Sequence, residues 1–162
     1  MMAVRPDAQF AFSHPAHIIA FGFGSGLAPR APGTAGTLAA WPIGWIASGV
    51  MPPALFAALI VFFFALGTWA CSVTGRRLGV EDHPAMVADE MVAFLLVLAI
   101  LPRDLGWQAA AFLLFRAFDI VKPAPIGWFE RRLHGGFGVM FDDLLAAGYT
   151  LLVLALLKRV LG

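Results

Sequence analysis

The chain has 162 residues, of which 60% are hydrophobic and 13% charged, against about 45–50% and about 25% in soluble domains. With a mean hydropathy of +0.84, that composition excludes an ordinary soluble domain and points to an integral membrane protein. A formal net charge of +1 excludes the basic face of a nucleic-acid binder. The single cysteine, Cys71, excludes an internal disulfide.

The length suits one domain over residues 1–162. Residues 1–13 carry Arg5, Pro6 and Asp7 and no apolar run, so they read as a short flexible cytosolic tail and not as a cleavable signal. A brief apolar run, Ile18 to Phe21, then dissolves into Gly22-Phe-Gly24-Ser-Gly26-Leu-Ala-Pro29-Arg30-Ala-Pro32-Gly33-Thr34-Ala-Gly36-Thr37. Glycine and proline at that density predict a loop, with a helix beginning near Gly36–Thr37. Such loops let backbone N–H groups converge on an anion. Gly24, Ser25, Gly33, Thr34 and Thr37 are therefore candidate phosphate-binding positions. A tight connection with close backbone approach is the competing account, and no Gly-Lys-Ser/Thr marks a P-loop.

Ala31 to Gly75 contains no charged residue. That is too long for one span of about 20 residues and right for two, broken at Met51-Pro52-Pro53. Arg30 before this hairpin and Arg76-Arg77 after it mark both ends as cytoplasmic. A second hairpin is predicted from Met86–Leu101 and Leu105–Phe115, broken at Pro102-Arg103-Asp104. Its first arm would be about 24 Å long, short for a span, and a protein-buried pair competes with that reading. Ile126 to Leu133 reads as a short interfacial helix with Trp128 at headgroup depth. Leu144–Leu157 would be a fifth apolar helix, although Lys158-Arg159 would then lie outside, against the usual charge bias. The expected fold is all-α and polytopic, with four to five apolar helices in hairpins.

Two closed hairpins return the chain to one membrane face. The glycine segment, Glu81-Asp82-His83, Asp89-Glu90, Arg116, Asp119, Lys122 and Asp142-Asp143 would all meet there. Carboxylates at apolar helix ends are costly unless paired or metal-bound. Oxygen ligands without histidine–cysteine spacing favour a hard cation such as Mg²⁺, so Asp89, Glu90, Asp119, Asp142 and Asp143 are the candidate metal ligands. Each also has a structural reading: Asp89-Glu90 and Asp142-Asp143 as acids at helix N-termini, Asp142 as an N-cap, and Asp119 as a salt bridge to Arg116 or Lys122. Lys122 precedes Pro123 and should end its helix. His83 is a candidate base or ligand, and Arg132 a candidate substrate contact.

At these residues the chain resembles the phosphatidylglycerophosphatase A family of bacterial membrane phosphatases. The matching blocks are Gly22-Phe-Gly-Ser-Gly-Leu-Ala-Pro29 with Pro32-Gly-Thr-Ala-Gly-Thr-Leu38, then Asp82-His83 with Val87-Ala-Asp89-Glu90. Phe115-Arg116-Ala-Phe-Asp119-Ile-Val-Lys122-Pro-Ala-Pro125 and His134-Gly-Gly-Phe-Gly-Val-Met-Phe-Asp142-Asp143-Leu-Leu-Ala-Ala-Gly148 follow in order. One departure is Met91-Val92-Ala93 after Asp89-Glu90, where a glycine is expected. The resemblance implies an all-helical fold and a Mg²⁺-requiring removal of the terminal phosphate of phosphatidylglycerophosphate, at the cytoplasmic face of a bacterial inner membrane. Lys122, Arg116, Asp119, Asp89 and His83 would be the catalytic group. A metal-activated water is favoured over a covalent phosphoenzyme, since Cys71 lies inside an apolar run and no Asp-x-Asp occurs. A membrane transporter or ion-binding protein, and a phosphatase for another phosphate ester, are the rival expectations; a homo-oligomer stays open.

Overall fold

The computed structural model describes residues 6–162, and every described regular element is helical. Two short helices, α1 (Ala8–Ala11) and α2 (Pro15–Ala20), lead into a 3₁₀ segment at Gly22–Leu27. The long helices follow: α3 (Pro32–Val50), α4 (Pro53–Leu78), α5 (Ala88–Ile100) and α6 (Leu105–Val121). A single turn, α7 (Ile126–Glu130), precedes α8 (Gly135–Leu161). Of the expected flexible tail, residues 1–5 lie outside the described residues. The remainder is ordered: Asp7 caps α1 by accepting from the Phe10 N–H at 2.8 Å, and Phe10 stacks on His17 at 4.5 Å.

The helix starts have local causes. Pro32 sits in the first turn of α3, where its missing N–H costs nothing. The helix therefore begins before Gly36, and the predicted loop over residues 22–37 is corrected to a 3₁₀ segment plus the first turns of α3. Gly36 lies flat against the next layer, since a Cβ there would collide with Val87. Gly79, at φ +72°, closes α4 in the left-handed conformation. Asp104 caps α6 through the Trp107 N–H at 2.9 Å.

The last helix departs most from expectation. α8 begins at Gly135 with His134 at its N-cap, so the residues expected to form a loop up to Asp142 are helical. Asp142 is not a cap; both it and Asp143 lie two turns inside the helix and are buried.

α5 is the centre of the molecule. It touches α2, α3, α4, α6 and α8, and Phe94, Val97 and Leu98 are fully buried on it. At 13 residues it is about 20 Å long, and it serves as a core helix. Removing the Phe94 ring would cost roughly 3–5 kcal/mol.

By length and composition, two helices among the described residues can cross a membrane: α4 and α8. Most of each apolar stretch faces outward, with Val61, Phe62, Leu152 and Leu156 more than half exposed. Four to five apolar helices were expected; the structure is all-helical, and two of its helices are candidate spans. Arg103, in the α5–α6 turn, stacks on Trp45 near the end of α3, so both hairpin turns lie together. The starts of α3, α5 and α8 and the ends of α4 and α6 meet at the opposite pole.

Candidate active site

That pole assembles its acids from three helices and a loop. Asp89 and Glu90 occupy the first turn of α5, which is anchored when the Val87 N–H donates to the Ala20 carbonyl at 2.8 Å. Asp142 and Asp143 enter from α8, whose start is fixed by the Gly136 N–H on Ser72 Oγ at 3.0 Å. α6 supplies Arg116 and Asp119 on one face and Lys122 at its end. Asp82 comes from the loop between α4 and α5. Together Asp82, Asp89, Glu90, Asp119, Lys122, Asp142 and Asp143 line a cavity of about 130 Å³, closed on its apolar side by Met86 and Val139.

Within it, carboxylate oxygens of Asp89, Glu90 and Asp143 lie within 4.8 Å of one another. Arg116 reaches Asp119 at 2.5 Å and Glu90 at 3.8 Å. The Lys122 ammonium lies 2.7 Å from Glu130 and 3.8 Å from Asp142. Four carboxylate oxygens remain buried without a hydrogen-bond partner among the described residues: Asp89 Oδ1, Glu90 Oε2, Asp142 Oδ1 and Asp143 Oδ2.

Removing a carboxylate from water costs several kcal/mol unless something charged or hydrogen-bonding replaces the water. Here two cations face a larger set of acids. An all-oxygen donor set with unsatisfied lone pairs, too anionic for its own cations, fits a hard divalent ion. The buried acidic cluster can therefore bind a metal ion.

The loop and the α6 cap show the same field. Burial pushes the Asp82 carboxyl up, against the pull of Lys122, because one side of this otherwise open residue is crowded by protein. Burial opposes the charge on Lys122, but its hydrogen bond to Glu130 and the nearby Glu130, Asp142 and Asp82 charges outweigh that and hold the ammonium above its usual range. Burial lowers His83, with Asp82 opposing, so His83 is held toward its neutral form.

Several expected residues stay outside this cavity. Ser25 donates to the Gly22 carbonyl at 2.8 Å, and Thr37, fully buried, donates to the Gly33 carbonyl at 2.8 Å. Gly24 lies beside the Phe12 ring, and Thr34 is half-buried in the first turn of α3. Arg132 stacks over Trp128 at 4.2 Å. His83 accepts from the Ala85 N–H at 3.1 Å and lines a second cavity, of about 520 Å³, which shares Asp82 and Pro84 with the first. Gly33 does reach the acids, since a Cβ there would collide with Glu90 and the Arg116 guanidinium.

One participant, Glu130, escaped the sequence reading, with no signal beyond its place beside two arginines; Asp82 was placed at the shared face but not among the candidate ligands. Cys71 and Arg77 stand at the Cys-x₅-Arg spacing of cysteine phosphatases. They lie within one continuous helix, with Cys71 buried, so no phosphate-cradling loop joins them.

The family model of phosphatidylglycerophosphatase A matches residues 18–158. A phosphatidylglycerophosphatase A of Escherichia coli is 41% identical over 140 residues, 86% of this chain and 81% of the relative. That of Haemophilus influenzae is 44% identical over 151 residues, 92% of each chain. A Bacteroides thetaiotaomicron protein, 44% identical over 90% of this chain and 94% of its own length, bears a provisional name as a phosphatidylinositol-3-phosphatase. No solved structure matches. With the family model covering most of the chain and such relatives nearly end to end, this protein belongs to the phosphatidylglycerophosphatase A family.

Proposed function

We propose that the protein hydrolyses the terminal phosphomonoester of phosphatidylglycerophosphate, giving phosphatidylglycerol and phosphate, with Mg²⁺ at the carboxylate cavity. The observation that carries this reading is the set of four buried, unpartnered carboxylate oxygens facing one cavity beside Lys122 and Arg116. Asp89, Glu90 and Asp143 would hold the ion, with Asp119 and Asp142 beside them. When bound, Mg²⁺ supplies charge that offsets the acids and polarises a phosphoryl oxygen.

This chain's residues do the rest. Lys122, at the cavity wall, meets the phosphoryl oxygens as charge spreads over them. Arg116 holds Asp119 and Glu90 in place. The attacking water forms a new P–O bond as the ester P–O bond breaks. The water's proton passes to a cavity carboxylate, and the carboxyl group so formed returns a proton to the departing alcohol oxygen.

The diacyl portion would stay in the bilayer crossed by α4 and α8. Arg30, Arg76 and Arg77 flank helix ends on the site's side, against Lys158 and Arg159 at the far end of α8; under the positive-inside bias the three arginines support a cavity on the cytoplasmic side of a bacterial inner membrane. A single cysteine placed near Met51 should then react with a membrane-impermeant reagent in intact cells. Reaction only after the membrane is opened would reverse the orientation.

The direct test is steady-state phosphate release from phosphatidylglycerophosphate in mixed micelles. Release that stops on chelation and returns with Mg²⁺ is expected. The Bacteroides relative's name makes phosphatidylinositol 3-phosphate the comparison substrate, and faster release from it would move the headgroup assignment. No release from either lipid would remove the phosphatase reading.

A further inference from the structure

Lys122 is held from two sides. Its ammonium lies 2.7 Å from Glu130, whose side chain is 45% exposed, and 3.8 Å from Asp142, whose side chain is 7% exposed. Glu130 thus draws the ammonium toward solvent and Asp142 draws it inward, and the outer contact is the shorter. The backbone is fixed too. Lys122 sits at φ 47°, in the left-handed region that a non-glycine residue adopts at a cost. The chain just beyond it is pinned to α8 by Tyr149, whose hydroxyl donates to the Ala124 carbonyl at 2.8 Å. Glu130 itself ends α7, a turn held down by the fully buried Ile126.

Without Glu130, a flexible ammonium beside Asp142, Asp82 and Asp119 would fold onto those acids and neutralise groups the cavity needs free. We propose that Glu130 is a positioning residue: it holds Lys122 at the outer wall of the carboxylate cavity, so that a phosphoryl group fits between the ammonium and the Asp89–Glu90–Asp143 cluster. This rests on the phosphatase reading above and adds to it a residue on a different element, with a defined partner.

The test is a double-mutant cycle on the full-length protein in mixed micelles with phosphatidylglycerophosphate and Mg²⁺. Glu130→Gln should lower kcat by about 10–100-fold, the range found when a group orienting an active-site residue is lost. KM should move much less, because the contact matters most as charge develops on the phosphoryl group. Glu130→Asp should restore most of the rate. In a Lys122→Ala background the same Glu130→Gln change should cost less than about twofold, since the two act as a unit. An equal loss in both backgrounds would show that Glu130 acts without Lys122 and would overturn the proposal. So would an unchanged or raised kcat in Glu130→Gln.

Inorganic phosphate affinity, measured by calorimetry on the same four proteins, separates the two readings. Turnover absent in the wild type, with non-additive phosphate binding, would sink the lipid substrate and keep the positioning role. Turnover present, with additive effects on both rate and binding, would do the reverse.

Discussion

The glycine-rich segment and the carboxylate cavity were both candidate parts of a phosphate site in the sequence, and they differ in what their polar groups do once folded. In the first, Ser25 and Thr37 each donate to a carbonyl of their own segment, and the glycines allow helices to approach. In the second, four carboxylate oxygens are buried with no hydrogen-bond partner among the described residues, and the cations nearby are fewer than the acids. In so apolar a protein a satisfied polar group is part of the scaffold, whereas an unsatisfied one marks where a ligand must bring the missing charge.

The largest effect should come from breaking the second region. Asp89→Asn and Asp143→Asn keep shape and remove charge from oxygens within 4.8 Å of each other. Each is expected to lower phosphate release by about 10³-fold, or to demand far more Mg²⁺ for the remaining rate, on the scale of losing one preorganised electrostatic group. A Mg²⁺ titration of phosphate release for each variant measures both. Wild-type rates and wild-type Mg²⁺ dependence in both would erase the contrast between the regions. Lys122→Ala comes next, at about 10²-fold in kcat with the fold intact. Thermal unfolding run beside the assay separates this from damage, since Lys122 also closes α6. Unchanged turnover would return Lys122 to a helix-ending role.

Much of the fold was legible because apolar runs and their breaks are local. Met51-Pro52-Pro53 and Pro102-Arg103-Asp104 divided the hairpins where the structure divides them, and Lys122 before Pro123 ended α6. The convergence of Asp89, Glu90, Asp119, Asp142 and Asp143 followed from that hairpin topology alone. What failed was the weight given to glycine. Gly33 and Gly36 lie inside α3, and Gly135, Gly136 and Gly138 inside α8, because packing overrides a propensity cost of about 1 kcal/mol per glycine. For α5 the sequence left a short span and a protein-buried helix as rivals, because an apolar face cannot say whether lipid or protein covers it; in the structure protein covers it. Glu130 was illegible since its meaning is an eight-residue return across α7 to Lys122, a distance that no helical spacing encodes.

The smallest effect is the sharpest check on the comparison. Thr37 was a candidate phosphate donor, and its hydroxyl is fully buried against the Gly33 carbonyl. Thr37→Val keeps the branched shape and removes that one bond. The Gly33 carbonyl is a helical acceptor one turn away, so the loss should be the net value of a single hydrogen bond, about 0.5–1.5 kcal/mol. Thermal unfolding should therefore register a modest fall, and phosphate release per folded molecule should stay within about twofold. The opposite pattern, an unmoved melting temperature with turnover down tenfold or more, would mean that the hydroxyl turns outward when substrate is present. In that event the first turns of α3, which already touch Glu90 and Arg116 through Gly33, would join the phosphate site, and a satisfied hydrogen bond would no longer separate scaffold from function here.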